Sequence, residues 1–470
     1  MAAPGPIEKG LARDLNFAVK SKTPSDKERP LLFDVDKIEK IKIDELVEQT
    51  KNKIDLINKS VLSGEMSILD STVEMGKLTR EALEKVAEKF AAALNIDVQN
   101  LPFAIFVFGA TARNQMLPNS DLDIGLVFED NCPAKIKSSV KDIVSILPFN
   151  DETDIAHWDS IDSMRKENCP SMMEYNKVME SRFVAGNIEM GNQHDSLAAQ
   201  QDTRIDKEKR FITEYGLLHK FDYRSRGSEH GANLKYDFGA SRDIVFLDWY
   251  YLLSTIGETP PEDHPTSFAC LDLLLGNGTI TSSEYDEMKS GLELILLVKF
   301  ALWSKNAESG DKKLLYLSDY SLDAAYEDIE KIIKKTGINN TDEFAYAYNK
   351  ARAALRNLIE TLFQKVASSH EDLMEIWRMA KEKEDLDEEV LNLLKHPTWN
   401  ELVPFAVSSA SPQILNYIVK QISNLEGYEY ILRIISENKY ITDDIRRNLL
   451  DSRLDKRFKK KIDVESRGNI

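Results

Sequence analysis

The feature that most limits what this chain can fold into is a pair of short apolar runs. AIFVFG spans residues 104–109, DIGLVF spans residues 123–128, and a polar, turn-rich stretch separates them. Continuous β-branched and aromatic residues over so short a span read as strands buried on both faces of a sheet. The pattern around them is helical. Apolar residues recur at helical spacing over residues 35–61 (Ile38, Ile41, Leu46, Ile54, Leu56) and over residues 71–94 (Leu78, Leu83, Val86, Phe90), so two helices precede the first strand. Residues 135–147 repeat the helical spacing after the second strand, and TDIAHW beyond them reads as a third strand. A small mixed sheet clothed by helices is the arrangement these elements allow.

From about residue 164 onward the pattern is almost wholly helical, including residues 241–256, 282–304, 321–336 and 341–369. The expected fold class is therefore α/β plus all-α: a small mixed-sheet domain, a helical bundle, then a C-terminal helical module. In residues this divides as a lead-in without period at 1–35, N-terminal helices at 36–100, the sheet domain at 101–190, a helical domain at 191–370 and the C-terminal module at 371–470. Within that last module LVPFAVSSASPQILNYIVK and YILRIISENKYITDDIRRNLL are loosely similar, each a pair of short helices, which leaves a helical repeat and a generic bundle both open.

A chain of 470 residues exceeds what one small core organises, and 42% apolar with 9% aromatic residues is enough to bury real cores. The formal net charge of -18 argues against a protein whose main work is holding nucleic acid, since neutralising phosphate needs a basic surface. The basic stretch at 446–461 reads as a solvated helix face. No long apolar run and no signal-peptide pattern occur, so a cytoplasmic protein without a membrane span is expected. Cys132, Cys169 and Cys270 are widely spaced without a metal-ligand pattern and are expected to be reduced packing residues.

The chemistry points to the junction between the two strands. Asp121 and Asp123 open the second strand, and residues two apart in a strand share a face, so their carboxylates converge. Like charges held that close call for a hard divalent cation with oxygen preference. Mg²⁺, or Mn²⁺ in its place, would bridge these carboxylates and the phosphates of a nucleoside triphosphate. Phosphoryl and nucleotidyl transfer need metal charge, in-line placement and donors for phosphate oxygens more than covalent help. Gly109 lets the backbone approach the triphosphate, and Arg113 offers a guanidinium to the same oxygens.

The segment FGATARNQMLPNSDLDIGLVF resembles, without a gap, the signature of the nucleotidyltransferase domain in bacterial PII-protein uridylyltransferases and related nucleotidyltransferases: Gly-Ser, Gly-Arg-x-Glu, then Ser-Asp-x-Asp before an apolar strand. MESRFVAGN at 179–187 is similar to that family's segment of Glu, Ala or Ser, Arg and Ala-Gly-Asp. ANLKYDFGASRDIVFLDWYYLL at 232–253 resembles its Asn-x-Lys, Gly-Gly-x-Arg-Asp-Ile, Trp stretch, and NGTITSSEYDEMKSGLELILLVKFAL at 277–302 the helix pair that follows. Four blocks in order cover roughly residues 41–318.

The resemblance implies transfer of a nucleoside monophosphate, from UTP or ATP, to a hydroxyl on a protein or a small molecule, with release of pyrophosphate. It implies that Asp121 and Asp123 hold the metal and that a third acid on a neighbouring strand acts as base. Asp154 is the best placed candidate, with Asp151 and Asp159 as rivals and His157 close by. Gly109, Ala110, Arg113 and Ser120 would line the triphosphate. Lys235, Arg242 and Asp243 would reach it across a cleft, or Arg242 and Asp243 would simply dock two domains; Arg182 reads as structural. The metal-binding His-Asp and small-molecule-sensing ACT domains of some relatives find no match here: His370 is followed by Glu371 and His396 by Pro397. The chain is therefore expected to add a nucleotide without removing one by that route.

Several positions depart from the family pattern. Ala110 replaces the Ser, Ala112 the second Gly, Gln115 the Glu, and Ala240 one Gly of the Gly-Gly pair. They keep a second reading open, a catalytically degenerate scaffold that binds nucleotide or a protein partner. Ala110→Ser should raise triphosphate affinity in the presence of Mg²⁺ by restoring a hydroxyl beside the phosphates. Equal affinity of the two proteins, measured side by side, would show that the loop takes its donors elsewhere.

Overall fold

In the computed structural model, the residues described are 41–118, 120, 122–149, 154–158, 181–201, 204–217, 241–255, 265–309, 322–395, 398–423, 425, 428–436, 438, 440–452 and 459. The lead-in expected at 1–35, the candidates Asp121, Asp151, Asp159 and Lys235, and Cys169, Ala240, His396 and Pro397 lie outside them. Two helices open the described chain, α1 (Asp44–Ser63) and α2 (Ile68–Leu94). The inner face of α1 carries Leu46, Thr50, Ile54, Ile57 and Val61, spaced three or four residues apart. Leu56, expected on that face, is 64% exposed, because it falls one step off this stripe and Ile57 takes the inward position.

Among the described residues the sheet has four strands in the order β3-β2-β1-β4: β1 (Phe103–Val107), β2 (Asp123–Phe128), β3 (Asp154–Trp158) and β4 (Arg182–Gly186). Strand β1 runs antiparallel to both its neighbours, while β2 and β3 are parallel, so the sheet is mixed as expected. Every residue of β1 is buried, which is what an uninterrupted FAIFV requires. One face of β1 meets α2, with the Phe90 and Phe103 rings edge to face at 5.4 Å between centroids. On the other, Ala104, Phe106 and Val127 pack with Met190 of α5 (Ile188–Gln201). Between β1 and β2 the chain makes one helical turn, α3 (Gly109–Ala112); α4 (Ala134–Ser145) follows β2.

The block MESRFVAGN receives a structural explanation from β4. Gly186, at φ 104°, brings its Cα against the Phe103 carbonyl, where a Cβ would collide. Asn187 then caps α5, accepting the N–H groups of Glu189 and Met190 at 3.0 and 3.3 Å, and donates to Glu129 at 2.9 Å.

The rest is helical: α6 (Arg204–Leu217), α7 (Ser241–Ser254), α8 (Thr266–Gly276), α9 (Ser282–Ser309), α10 (Leu322–Ile333), α11 (Thr341–Ala367), α12 (Glu371–Glu382) and α13 (Glu388–Leu393). Then come α14 (Trp399–Ser408), α15 (Pro412–Ile422), α16 (Glu429–Ser436) and α17 (Asp443–Asp451). A single apolar core joins them, running from Val61 and Ile68 through Phe246, Phe268, Leu292 and Phe344 to Leu402, Phe405, Ile414, Ile431 and Leu449. The last four helices form two consecutive pairs. Asn448 donates to Asn416 at 2.8 Å, and Asn438 donates to the Ala406 and Ser409 carbonyls, so the second pair is laid on the first.

Cys132 and Cys270 are buried and free, as expected of packing residues. Burial pushes the Cys132 thiol up to about 12; burial and then the Asp248 charge hold Cys270 well above the ordinary range. No described helix is long and apolar enough to cross a membrane.

Helices α6 and α12 approach closely at Gly216 and Trp377. A Cβ added at Gly216 would meet the Trp377 ring, with Cη2 at 2.7 Å. Alanine gains up to about 1 kcal/mol in helix propensity over glycine, but overpacking a core costs about 1–3 kcal/mol. Gly216→Ala should therefore lower the thermal unfolding midpoint. A rise would mean that Trp377 can swing aside at little cost.

Candidate functional site

The end of β1 is organised by one close approach. Gly109 takes φ 61°, a left-handed conformation that side chains resist, and it does so where the Asp123 carboxylate lies against its Cα. An added Cβ would fall on Asp123 Oδ2 and stand 3.0 Å from Cγ, so glycine is required for space as well as for conformation. The Phe108 N–H donates to the Asp123 carbonyl at 3.2 Å, extending the β1–β2 ladder and fixing the two segments against each other. Across β2, Asp123 is in register with Asp154 of β3. Two carboxylate-bearing positions, one glycine and the start of a helical turn thus share one end of the sheet.

Ala110 is the second residue of that turn, half-buried, and its carbonyl accepts the Gln115 N–H at 2.8 Å. Ala112, where the family pattern carries a glycine, adopts ordinary helical backbone and is buried, so its methyl fits. The first N–H groups of a helical turn find no acceptor inside the turn, which leaves those of α3 directed at whatever lies off the end of β1.

The segment from 111 to 120 is not the solvated polar loop its composition suggests. Thr111, Asn114, Gln115, Met116, Leu117 and Ser120 are all buried, and Leu117 belongs to the helical core. Asn114 and Gln115 are matched from other elements. Arg80 of α2 donates to Asn114 Oδ1 at 2.9 Å, and the Thr79 hydroxyl points at Met116 Sδ at 3.3 Å. Gln115 Nε2 donates to Asp248 Oδ1 of α7 at 2.7 Å and to Ser267 Oγ of α8 at 2.8 Å. Thr266 donates its N–H to the Arg113 carbonyl at 3.1 Å, and Ser120 Oγ accepts the Leu117 N–H at 3.1 Å.

Arg113, expected on the phosphates, has its Nε 3.1 Å from Asp248 Oδ2, an ion pair by distance although not aligned as a hydrogen bond. The Arg113 side chain is 12% exposed and that of Asp248 0%, so the guanidinium faces the helical region. Asp248 was not among the expected residues. Its signal was legible, being the one acid inside the apolar run IVFLDWYYLL, because a carboxylate in such a helix is tolerated only when paired. It also accounts for a departure from the family pattern. Facing a buried carboxylate, position 115 must donate, and Gln does what Glu cannot.

Asp243 lies in the first turn of α7 and is fully buried. Burial, then the Glu360 charge and the Asp243 charge hold the Tyr215 phenol of α6 well above the ordinary range. Arg242 falls in the same turn, and Asp154 and His157 fall on β3, by backbone position. Among the described residues no three His, Cys, Asp or Glu side chains gather as a metal cage.

Sequence comparison adds the class. Residues 55–147, which hold the end of α1, α2, β1, the buried loop, β2 and α4, match the family model described as Putative nucleotidyltransferase DUF294. The bifunctional uridylyltransferase/uridylyl-removing enzyme of Chromobacterium violaceum is 23% identical over 164 residues, 33% of this chain and 18% of that one. The enzyme of the same description from Haemophilus influenzae is 23% identical over 220 residues, 43% of this chain and 22% of the other. The chain thus contains a nucleotidyltransferase-like domain and spans about a fifth of the length of the curated relatives it matches.

Gln115→Glu tests the network. It sets a second carboxylate against buried Asp248 and removes the donor to Ser267, and an uncompensated buried charge costs about 3–5 kcal/mol. The new carboxyl would have its folded pKa raised above its unfolded value, so it destabilises at neutral pH and the deficit shrinks as pH falls through the raised value. Unfolding midpoints across pH should show that closing gap; a pH-independent difference would place the cost elsewhere.

Proposed function

We propose that the protein is a metal-dependent nucleotidyltransferase that moves a nucleoside monophosphate from a triphosphate, UTP or ATP, to a hydroxyl on a protein or small-molecule acceptor and releases pyrophosphate. The observation that carries this reading is the Asp123 carboxylate seated on the bare Cα of Gly109, in register with Asp154, inside the stretch similar to nucleotidyltransferases.

In this reading Asp121 and Asp123 hold Mg²⁺ or Mn²⁺, and the cradle fits such an ion, because Asp123 is hard-oxygen and partly exposed at a strand end. The metal, when bound, supplies charge against the phosphate oxygens. The chain itself does the remainder. Gly109 and the turn that follows bring backbone N–H groups to the phosphates, and Asp154 stands on the adjacent strand as base toward the acceptor hydroxyl. Lys235, Arg242 and Ser120 would help orient the nucleotide. The packed loop keeps these groups still, so little reorganisation accompanies the reaction.

The commitment of Arg113 to Asp248 favours a second reading, a domain that binds nucleotide without turning it over. Pyrophosphate release separates the two. Replacing Asp121 and Asp123 together by Asn should cut metal-dependent transfer by at least about 100-fold, while the unfolding midpoint holds or rises as two repelling charges are removed. Transfer at the parental rate would show that the metal site is elsewhere.

A further inference from the structure

A second set of reactive side chains lies beside this site. Ser181 Oγ is 2.7 Å from His194 Nε2, and His194 Nδ1 is 3.1 Å from Asp195 Oδ1. Ser181 immediately precedes β4, and His194 and Asp195 are in α5. The bonding decides the tautomer. A carboxylate only accepts, so in neutral His194 the proton sits on Nδ1, and Nε2 is left to accept from the Ser181 hydroxyl. Nucleophile, base and orienting carboxylate are thus in hydrogen-bonded sequence.

Position gives this group a purpose. Val107 is opposite Arg182 and Phe106 opposite Phe183, so Ser181 lies one residue beyond the last β1–β4 pair, at the end of the sheet where Gly109 begins the buried loop. By strand alternation Ser181 shares a face with Phe183 and Phe106, and the Phe106 ring contacts His194 at 4.9 Å between centroids. Phe106 is opposite Gly125, so Asp123, two residues before it, points from that same face. With β1 between them, β4 and β2 are separated by two strand spacings, about 10 Å. A metal–oxygen contact of about 2 Å, a phosphoryl group and a near-attack distance of about 3–3.5 Å fill such a gap. Ser181 and His194 are buried, which keeps competing water away, whereas the Asp195 side chain is 72% exposed and gives the imidazole a route for its proton to solvent.

We propose that Ser181 is a built-in acceptor, which the domain nucleotidylates with His194 as general base and Asp195 holding the imidazole. This rests on the transferase reading above. Ser181 Oγ forms a bond to the α-phosphorus as the bond from that phosphorus to the pyrophosphate oxygen breaks. The hydroxyl proton passes to His194 Nε2, and pyrophosphate leaves with the electron pair. The product is a phosphodiester between the nucleoside and Ser181.

The test uses the full-length protein with Mg²⁺ and α-labelled UTP or ATP, in two measurements. Triphosphate binding is read first, then the mass gained and its position by peptide mapping. The expected result is binding together with one nucleoside monophosphate on Ser181. Ser181→Ala should lose the label, Ser181→Thr should retain it at residue 181, and His194→Gln should slow labelling by about 100-fold or more. Binding without any gain on Ser181, a label on another residue, or labelling of the His194→Gln protein at the parental rate would each overturn the inference while leaving the transferase reading in place. Absence of metal-dependent binding would overturn both.

Discussion

The structure depends on a carboxylate that has no access to water. Asp248 is at the centre of α7 with a side chain 0% exposed, in a setting where an unpaired charge would cost several kcal/mol. Its partners, Arg113 and Gln115, come from the turn after β1, and Gln115 also holds Ser267 of α8. Removing any one member costs a buried polar contact between these elements, so the network ties the loop to α7 and α8. The precision of Gly109 against Asp123 is inherited from this arrangement. A loop of mixed polar residues in water would sample many conformations, whereas here Leu117, Met116 and Asn114 are fixed by α2 and the helical core.

What the sequence conveyed follows the range of the interactions. Strands β1 and β2 came from uninterrupted apolar runs, and α7, α9, α10 and α11 from helical spacing, because such signals are local. Gly109 and Asp123 were legible for the same reason: the close approach joins residues on either side of one loop. The pairing of Gln115 with Asp248 and Ser267 joins residues 133 and 152 positions apart, and no period in the chain announces it. The loop read as a polar, turn-rich stretch, and polarity alone does not announce burial. Its burial is set by partners supplied from α2, α7 and α8. Leu56 shows the smaller failure, in which an apolar residue satisfies the composition of a face and misses its phase.

The helical region is more than an appendage to the sheet. Its core is continuous from Val61 in α1 to Leu449 in α17, and Trp377 of α12 is seated on Gly216 of α6. His370 meets Glu208 at 2.8 Å in the same seam, and Lys209 meets Asp372 at 3.1 Å. The two terminal helix pairs were visible as loosely similar segments. In the structure Asn448 of the second pair donates to Asn416 of the first, between equivalent helices. Two stacked pairs cannot bury both their faces alone, and the remaining apolar surface is covered by α12 and α6.

In the proposed transferase this arrangement would divide the labour between reaction and recognition. The stretch that matches the family model ends at residue 147 and contains Gly109, the buried loop and Asp123, whereas the similarity to the two uridylyltransferases runs further along the chain. Strand β3 with Asp154, strand β4, α5 and every helix after them lie beyond that residue. A centre that stabilises developing phosphate charge can be rigid and shared, because its target has the same shape whichever hydroxyl attacks. In the proposed transferase, choice of acceptor would fall to surfaces outside that centre, among them those of the later elements. The buried Asp248 network connects the two, because α7, which carries Asp248, holds Arg113 and Gln115 of the loop that follows Gly109.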